Sequence, residues 1–154
     1  MKRLFILVLP VLAVGMLILG ATSPKQPAEF NELVKKYYAA WNTLDPDNAG
    51  SLYAKDADLV FFDVAPLKYS HGWKEYRDYF KTNLAPTFAS LVLTANDDLK
   101  VTRKGDIALT TLTFHAAVKH KDGSPVEFDG RHSIVWEKRG GEWLIIHEHV
   151  SKPL

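Results

Sequence analysis

The chain has 154 residues, a formal net charge of +1, 47% hydrophobic and 12% aromatic residues, and no cysteine. That balance describes a folded globular chain with room for one core and excludes an extended disordered protein. It also excludes disulfides, thiolate metal sites, a cysteine nucleophile and a lipid-modified cysteine, and the interspersed basic and acidic residues form no stripe for nucleic acid.

Met1-Lys2-Arg3 is a short basic start, and Leu4 to Ala21 follows without a charge. A charged start, an apolar run and the small residues Ala21-Thr22-Ser23 have the layout of an export signal. The run is also about as long as a minimal membrane span, and Pro24 disfavours cleavage, so the leader is either removed or kept as an anchor. Residues 1–23 are therefore expected to be a signal peptide or membrane anchor, 24–27 a linker and 28–154 the folded domain. The domain is expected outside the cytoplasm, periplasmic or secreted, or held to the membrane by residues 4–21.

A helix is predicted from Ala28 to Leu44, because Phe30, Leu33, Val34, Tyr37, Tyr38, Trp41 and Leu44 repeat at helical spacing. Asp45-Pro46 stops it and opens a short second helix. Leu59 to Phe62 reads as a strand ending at Asp63, with Pro66 to Tyr69 as a short partner. His71 to Leu84 reads as a third helix carrying Trp73, Tyr76, Tyr79 and Phe80, and Pro86 ends it. Four long alternating runs follow, Ser90–Arg103, Ile107–Lys119, Val126–Lys138 and Glu142–Ser151, joined by glycine-containing turns. Helices first and an antiparallel meander after predict an α+β fold, with a curved sheet whose concave face is covered by the three helices. The inside of such a cone is a natural pocket.

The stretch Arg131 to Ser151, with Trp143 after the Gly140-Gly141 turn and then His147-x-His149, resembles the closing hairpin of SnoaL-like proteins in the nuclear transport factor 2 superfamily. It is also similar to the association domain of calcium/calmodulin-dependent kinase II. Tyr37 to Asn42, Asp45, Tyr53 to Ala57 and Gly72 are similar to the opening of ketosteroid isomerase and its relatives. The resemblance spans about Ala28 to Pro153 and implies a cone-shaped domain. It leaves activity open, because this fold hosts enzymes, ligand binders and assembly domains.

Strand parity divides the last strand. Leu144, Ile146, Glu148 and Val150 share one face, and Trp143, Ile145, His147 and His149 share the other. The resemblance to ketosteroid isomerase turns the first set toward the pocket. Glu148 is then a carboxylate among apolar side chains, which must be paired or functional. By the same resemblance His132 faces inward at the position where the isomerase keeps a protonated aspartate, and Tyr37 matches its oxyanion-binding tyrosine. The isomerase base is replaced by Phe61, and Asp63 can stand in only if the strand end curls inward. Classical steroid isomerisation is therefore not expected.

Trp41, Phe61, Trp73, Tyr76, Phe80, Phe114 and Trp136 are the aromatic side chains expected to line the cone. Arg131 and the outward set with Trp143, Ile145, His147 and His149 are expected to form a homodimer surface. A β-bulge would instead turn Arg131 into an anion clamp in the pocket. His147-x-His149 lacks an evident third metal ligand. The reading is thus a small hydrophobic or carbonyl ligand held in the cone, with cofactor-free and metal-free acid–base chemistry by Glu148, His132, Asp63 and Tyr37, of the isomerase, cyclase or dehydratase type. Two other readings remain: a ligand-binding module without turnover, and a dimerisation or assembly domain.

Overall fold

The computed structural model describes residues 26–64 and 70–153. The leader, most of the linker and the expected strand at Pro66–Tyr69 lie outside the described residues. Helix α1 spans Gln26–Trp41, three residues short of the expectation. It ends because Leu44 turns to a positive φ of 60°. The Asn42 side chain then ties the helix end to the sheet, accepting from Leu93 N–H at 2.7 Å and donating to Leu93 C=O at 3.1 Å. The second helical segment is 3-10, at Pro46–Leu52, and the Asp45 carboxylate caps it by accepting from Asp47 N–H. Strand β1 is Val60–Phe62 and β2 is Ser70–His71. Helix α2, Gly72–Tyr79, continues through a π-turn at Phe80–Leu84 into a 3-10 turn at Ala85–Thr87. Gly72 opens it at a φ of 65°, where a Cβ would press on the backbone of Asp56 and Ala57.

The sheet strands are β3 (Phe88–Ala95), β4 (Lys100–Lys104), β5 (Ile107–His120), β6 (Pro125–Arg139) and β7 (Glu142–Ser151). Their order with the first two is β2-β1-β7-β6-β5-β3, and β4 also pairs with β5. Three expectations are corrected. The sheet is mixed, because β1 runs parallel to β7. The helical segment beginning at Gly72 lies between β2 and β3, so not every helix precedes the sheet. The expected strand Ser90–Arg103 is two strands laid end to end along β5. The break has a local cause: Asp98 accepts from both the N–H and the hydroxyl of Thr113, and Asn96 N–H donates to Thr113 C=O. Side chain and loop thus serve the β5 groups that a continuous strand would have paired.

Alternation then sorts the two faces. On β5, Ala108, Thr110, Leu112, Phe114, Ala116 and Val118 are buried; on β6, Gly130, His132, Ile134 and Trp136 are. The β6–β7 register shifts between Val135 and Trp136, which face His147 and Ile145, leaving Ile146 as an extra residue. This bulge overturns the expected parity. Trp143 and Ile145 face inward on one side of it, Glu148 and Val150 on the other, and Leu144 and Ile146 turn outward with His147 and His149. Trp143 accordingly packs under α1, in ring contact with Phe30 and donating to Glu29 Oε1 at 3.0 Å. It is not part of an outer apolar patch.

Gly130 faces Phe114 across the strand pair. The phenyl ring lies over the glycine so closely that a Cβ would penetrate it. Gly130→Ala is therefore expected to cost about 1–3 kcal/mol in urea unfolding, and combining it with Phe114→Leu should recover most of that. Independent, additive costs would show that the ring does not depend on the glycine.

Candidate functional site

The concave face and the helices enclose a cavity of about 390 Å³. Alpha-helix α1 supplies Tyr37, Tyr38 and Trp41 to its wall, successive inward positions of one helical stripe. The end of β1 supplies Asp63, the strands supply Phe114, Phe128, His132 and Val150, and Phe88 and His120 close the far end. Such a cavity is large enough for a ligand of ten to twenty heavy atoms, on the order of 20 Å³ each.

Behind this wall runs a row of buried polar groups. The Trp41 indole N–H donates to the Tyr53 hydroxyl at 3.2 Å, and that hydroxyl donates to Glu148 Oε2 at 2.8 Å. His132 Nε2 lies 3.7 Å from the same oxygen, too long for a hydrogen bond but within strong Coulomb range. Its Nδ1 is 3.1 Å from the Tyr38 hydroxyl. Placing the imidazole proton on Nε2, toward the carboxylate, leaves Nδ1 to accept from Tyr38. Glu148 is 0% exposed and His132 2%. Among the described residues Glu148 Oε1 and His132 Nε2 have no hydrogen-bond partner.

Tyr37, Tyr53 and Tyr76 are held well above the ordinary tyrosine range, first by burial and then by the charge of Glu148. Tyr38 is raised for the same two reasons. These phenols stay neutral and act as donors at any working pH. Burial also pushes the Asp63 carboxyl up to about 6; its bond from Val64 N–H opposes this, and the Glu148 charge adds to it.

The expected site residues fall into four groups. Tyr37, Asp63, His132, Trp41 and Phe114 line the cavity together. Glu148 lies behind His132 and does not reach the cavity wall, so it can act on a ligand only through its neighbours. Phe61, Trp73, Tyr76, Phe80 and Trp136 belong to the packed core, corrected from lining positions. Trp73 stacks on Tyr53, Phe61 stacks on Tyr76, Phe80 packs on Trp41, and Trp136 donates to Thr110 Oγ1 at 2.9 Å. Arg131 is exposed on the outer face, because the bulge falls in β7 and leaves the parity of β6 unbroken. The sequence reading missed Tyr38 and Tyr53 as polar partners. Tyr38 stood in the helical stripe, yet nothing in the stripe shows where a phenol oxygen ends. No group of three or more His, Cys, Asp or Glu side chains among the described residues could hold a metal.

A family model for the SnoaL-like domain matches residues 30–154. The chain belongs to this family. No functionally curated protein matches it. Among solved structures, a nuclear transport factor 2-like superfamily protein from Salmonella enterica serovar Typhimurium is 24% identical with a TM-score of 0.75, over 82% of this chain and 90% of that one. A proposed calcium/calmodulin dependent protein kinase II association domain from Xanthomonas campestris is 25% identical with a TM-score of 0.69, over 81% and 86%. A proposed scytalone dehydratase from Novosphingobium aromaticivorans shares 12% identity with a TM-score of 0.72, over 83% and 84%. The last likeness is one of fold.

The raised carboxyl of Asp63 has a stability consequence. With a folded-state value above the ordinary 3.8, the folded protein binds the extra proton between that pH and about 6. Stability therefore falls as pH rises through this window. Asp63→Asn should remove that slope and stabilise the SnoaL-like domain at neutral pH by about 1–2 kcal/mol, allowing for partial exposure. Urea unfolding at several pH values measures it, and an unchanged slope in the variant would contradict the assignment.

Proposed function

We propose that the domain holds a small hydrophobic ligand in the cavity and carries out cofactor-free acid–base chemistry on it, of the isomerase, cyclase or dehydratase type. The observation that carries this reading is the buried imidazole of His132 on the cavity wall, set between the Tyr38 hydroxyl and the Glu148 carboxylate. When Tyr38 turns its hydroxyl to a ligand oxygen, His132 Nδ1 is freed as a proton acceptor. Glu148 stabilises the imidazolium that forms, as a buried carboxylate does behind a catalytic histidine. Tyr37 and Tyr38 are neutral donors for a developing oxyanion. Glu148 is thus a positioning residue, and Asp63 is the one carboxylate able to touch the ligand. The structural likeness to a proposed dehydratase is compatible with this chemistry.

Solvent deuterium exchange next to the carbonyl of an aryl ketone such as tetralone, followed by NMR, tests the catalytic step. His132→Gln should abolish the exchange. Glu148→Gln should lower it at least about tenfold while stabilising the fold by about 1–2 kcal/mol, because it removes a buried charge that only a hydroxyl and an imidazole among the described residues offset. Exchange no faster than in buffer, with saturable tetralone binding, would leave a binding module without turnover.

The proposal includes export by residues 1–23, as a cleaved signal or a retained anchor, and pairing of two chains through the outer face of the sheet. Val92, Ile107 and Leu109 support the pairing, since all three point outward and are 50%, 40% and 39% exposed. Leu109→Glu is expected to convert a dimer to monomer in light scattering, and a wild-type monomer would end this part of the proposal.

A further inference from the structure

The cavity wall has a charge pattern that the acid–base reading does not use. None of its described lining residues is a lysine or arginine. Asp63 takes the Val64 N–H at 2.6 Å through one carboxylate oxygen and pairs with no basic side chain among the described residues. A second carboxylate, Glu148, lies buried just behind the wall. Among the described residues, an anionic ligand entering here meets two negative groups and no lysine or arginine, which is strongly unfavourable away from water.

The rest of the wall mixes aliphatic and aromatic side chains, with Asn83, Thr87, His120 and His132 among them. Tyr37, Tyr38, Trp41, Phe88, Phe114 and Phe128 present rings to the cavity. Aromatic faces carry negative electrostatic potential and attract ammonium groups, more so when water is excluded. Among the described residues the Tyr37 hydroxyl makes no hydrogen bond, so its oxygen is available as an acceptor. Tyr37, from α1, and Asp63, from the end of β1, line the same cavity. A carboxylate, a free phenol oxygen and ring faces in an apolar cavity are together the recognition chemistry of an organic cation.

We propose that the cavity takes a hydrophobic ligand bearing a protonated amine, its ammonium seated on Asp63 against the ring and hydroxyl of Tyr37. The inference rests on the cavity reading above. It gives Asp63 to binding and leaves proton transfer to Tyr38, His132 and Glu148.

Calorimetric titration of the full chain with phenylbutylamine, phenylbutanol and phenylbutyrate tests it on one carbon skeleton. The amine is expected to bind at least about tenfold tighter than the alcohol, and the carboxylate weakest. Asp63→Asn should erase the advantage of the amine over the alcohol. In the wild-type chain, nuclear Overhauser contacts should run from the methylene beside the ammonium to the Tyr37 ring, a readout independent of whether the variant folds. An alcohol that binds as tightly as the amine overturns the inference and leaves the cavity reading intact. An amine preference that survives Asp63→Asn, or that lacks the Tyr37 contacts, overturns the assigned seat. Failure of all three compounds to bind saturably overturns the inference together with the cavity reading.

Discussion

Glu148 sits on the concave face of the sheet without exposure and, among the described residues, without a lysine or arginine paired to it. The Tyr53 hydroxyl holds one oxygen, and the His132 imidazole stands off the same atom. A lone carboxylate in such a place is expensive, and the polar groups that reduce its cost are drawn from α1, the loop after the 3-10 segment, β6 and β7. Of these, α1, β6 and β7 also line the cavity. Burial first, and the Glu148 charge second, keep the surrounding tyrosines neutral, so the site presents hydroxyl donors rather than phenolates.

The position of that carboxylate depends on one extra residue in β7. Without the bulge at Ile146, a strand that buries Trp143 and Ile145 would bury His147 and His149 and turn Glu148 outward. With it, the first half of the strand packs under α1 and the second half faces the cavity. Aromatic packing fixes the other side of the wall. Tyr53, Trp73, Tyr76 and Phe61 pack together behind Trp41 in two stacked pairs joined by edge-to-face contacts, and Trp41 touches the first three while also lining the cavity. Rigid ring packing of this kind suits a preformed site better than an adaptable surface.

Two of the polar side chains on the wall have different work in this arrangement. His132 is enclosed by protein groups on both nitrogens, which suits internal proton traffic. Asp63 lines the cavity and is held by one backbone N–H, that of Val64. Outside, the hairpin residues that carry the family pattern, Arg131, His147 and His149, lie on the opposite face from both. His147 Nδ1 donates to Val60 C=O at 2.7 Å and so helps hold β1 beside β7, and Phe62 contacts both histidine rings.

The sequence alone determined the α+β class, the helical stripe of α1 and the three hairpin-linked strands from Ile107 onward. These follow from local periodicity and turn chemistry, which depend on residues close in the chain. Tertiary structure decided the parallel pairing of β1 with β7, the break at Asp98, the bulge at Ile146 and the division of the aromatic residues between core and cavity. Each of these depends on a partner far away in the chain. Asp98 breaks a strand only because Thr113 lies opposite, and Trp73 is core only because Tyr53 covers it. A helical or alternating pattern says which face a side chain takes, but not whether another ring, a carboxylate or open space will meet it there.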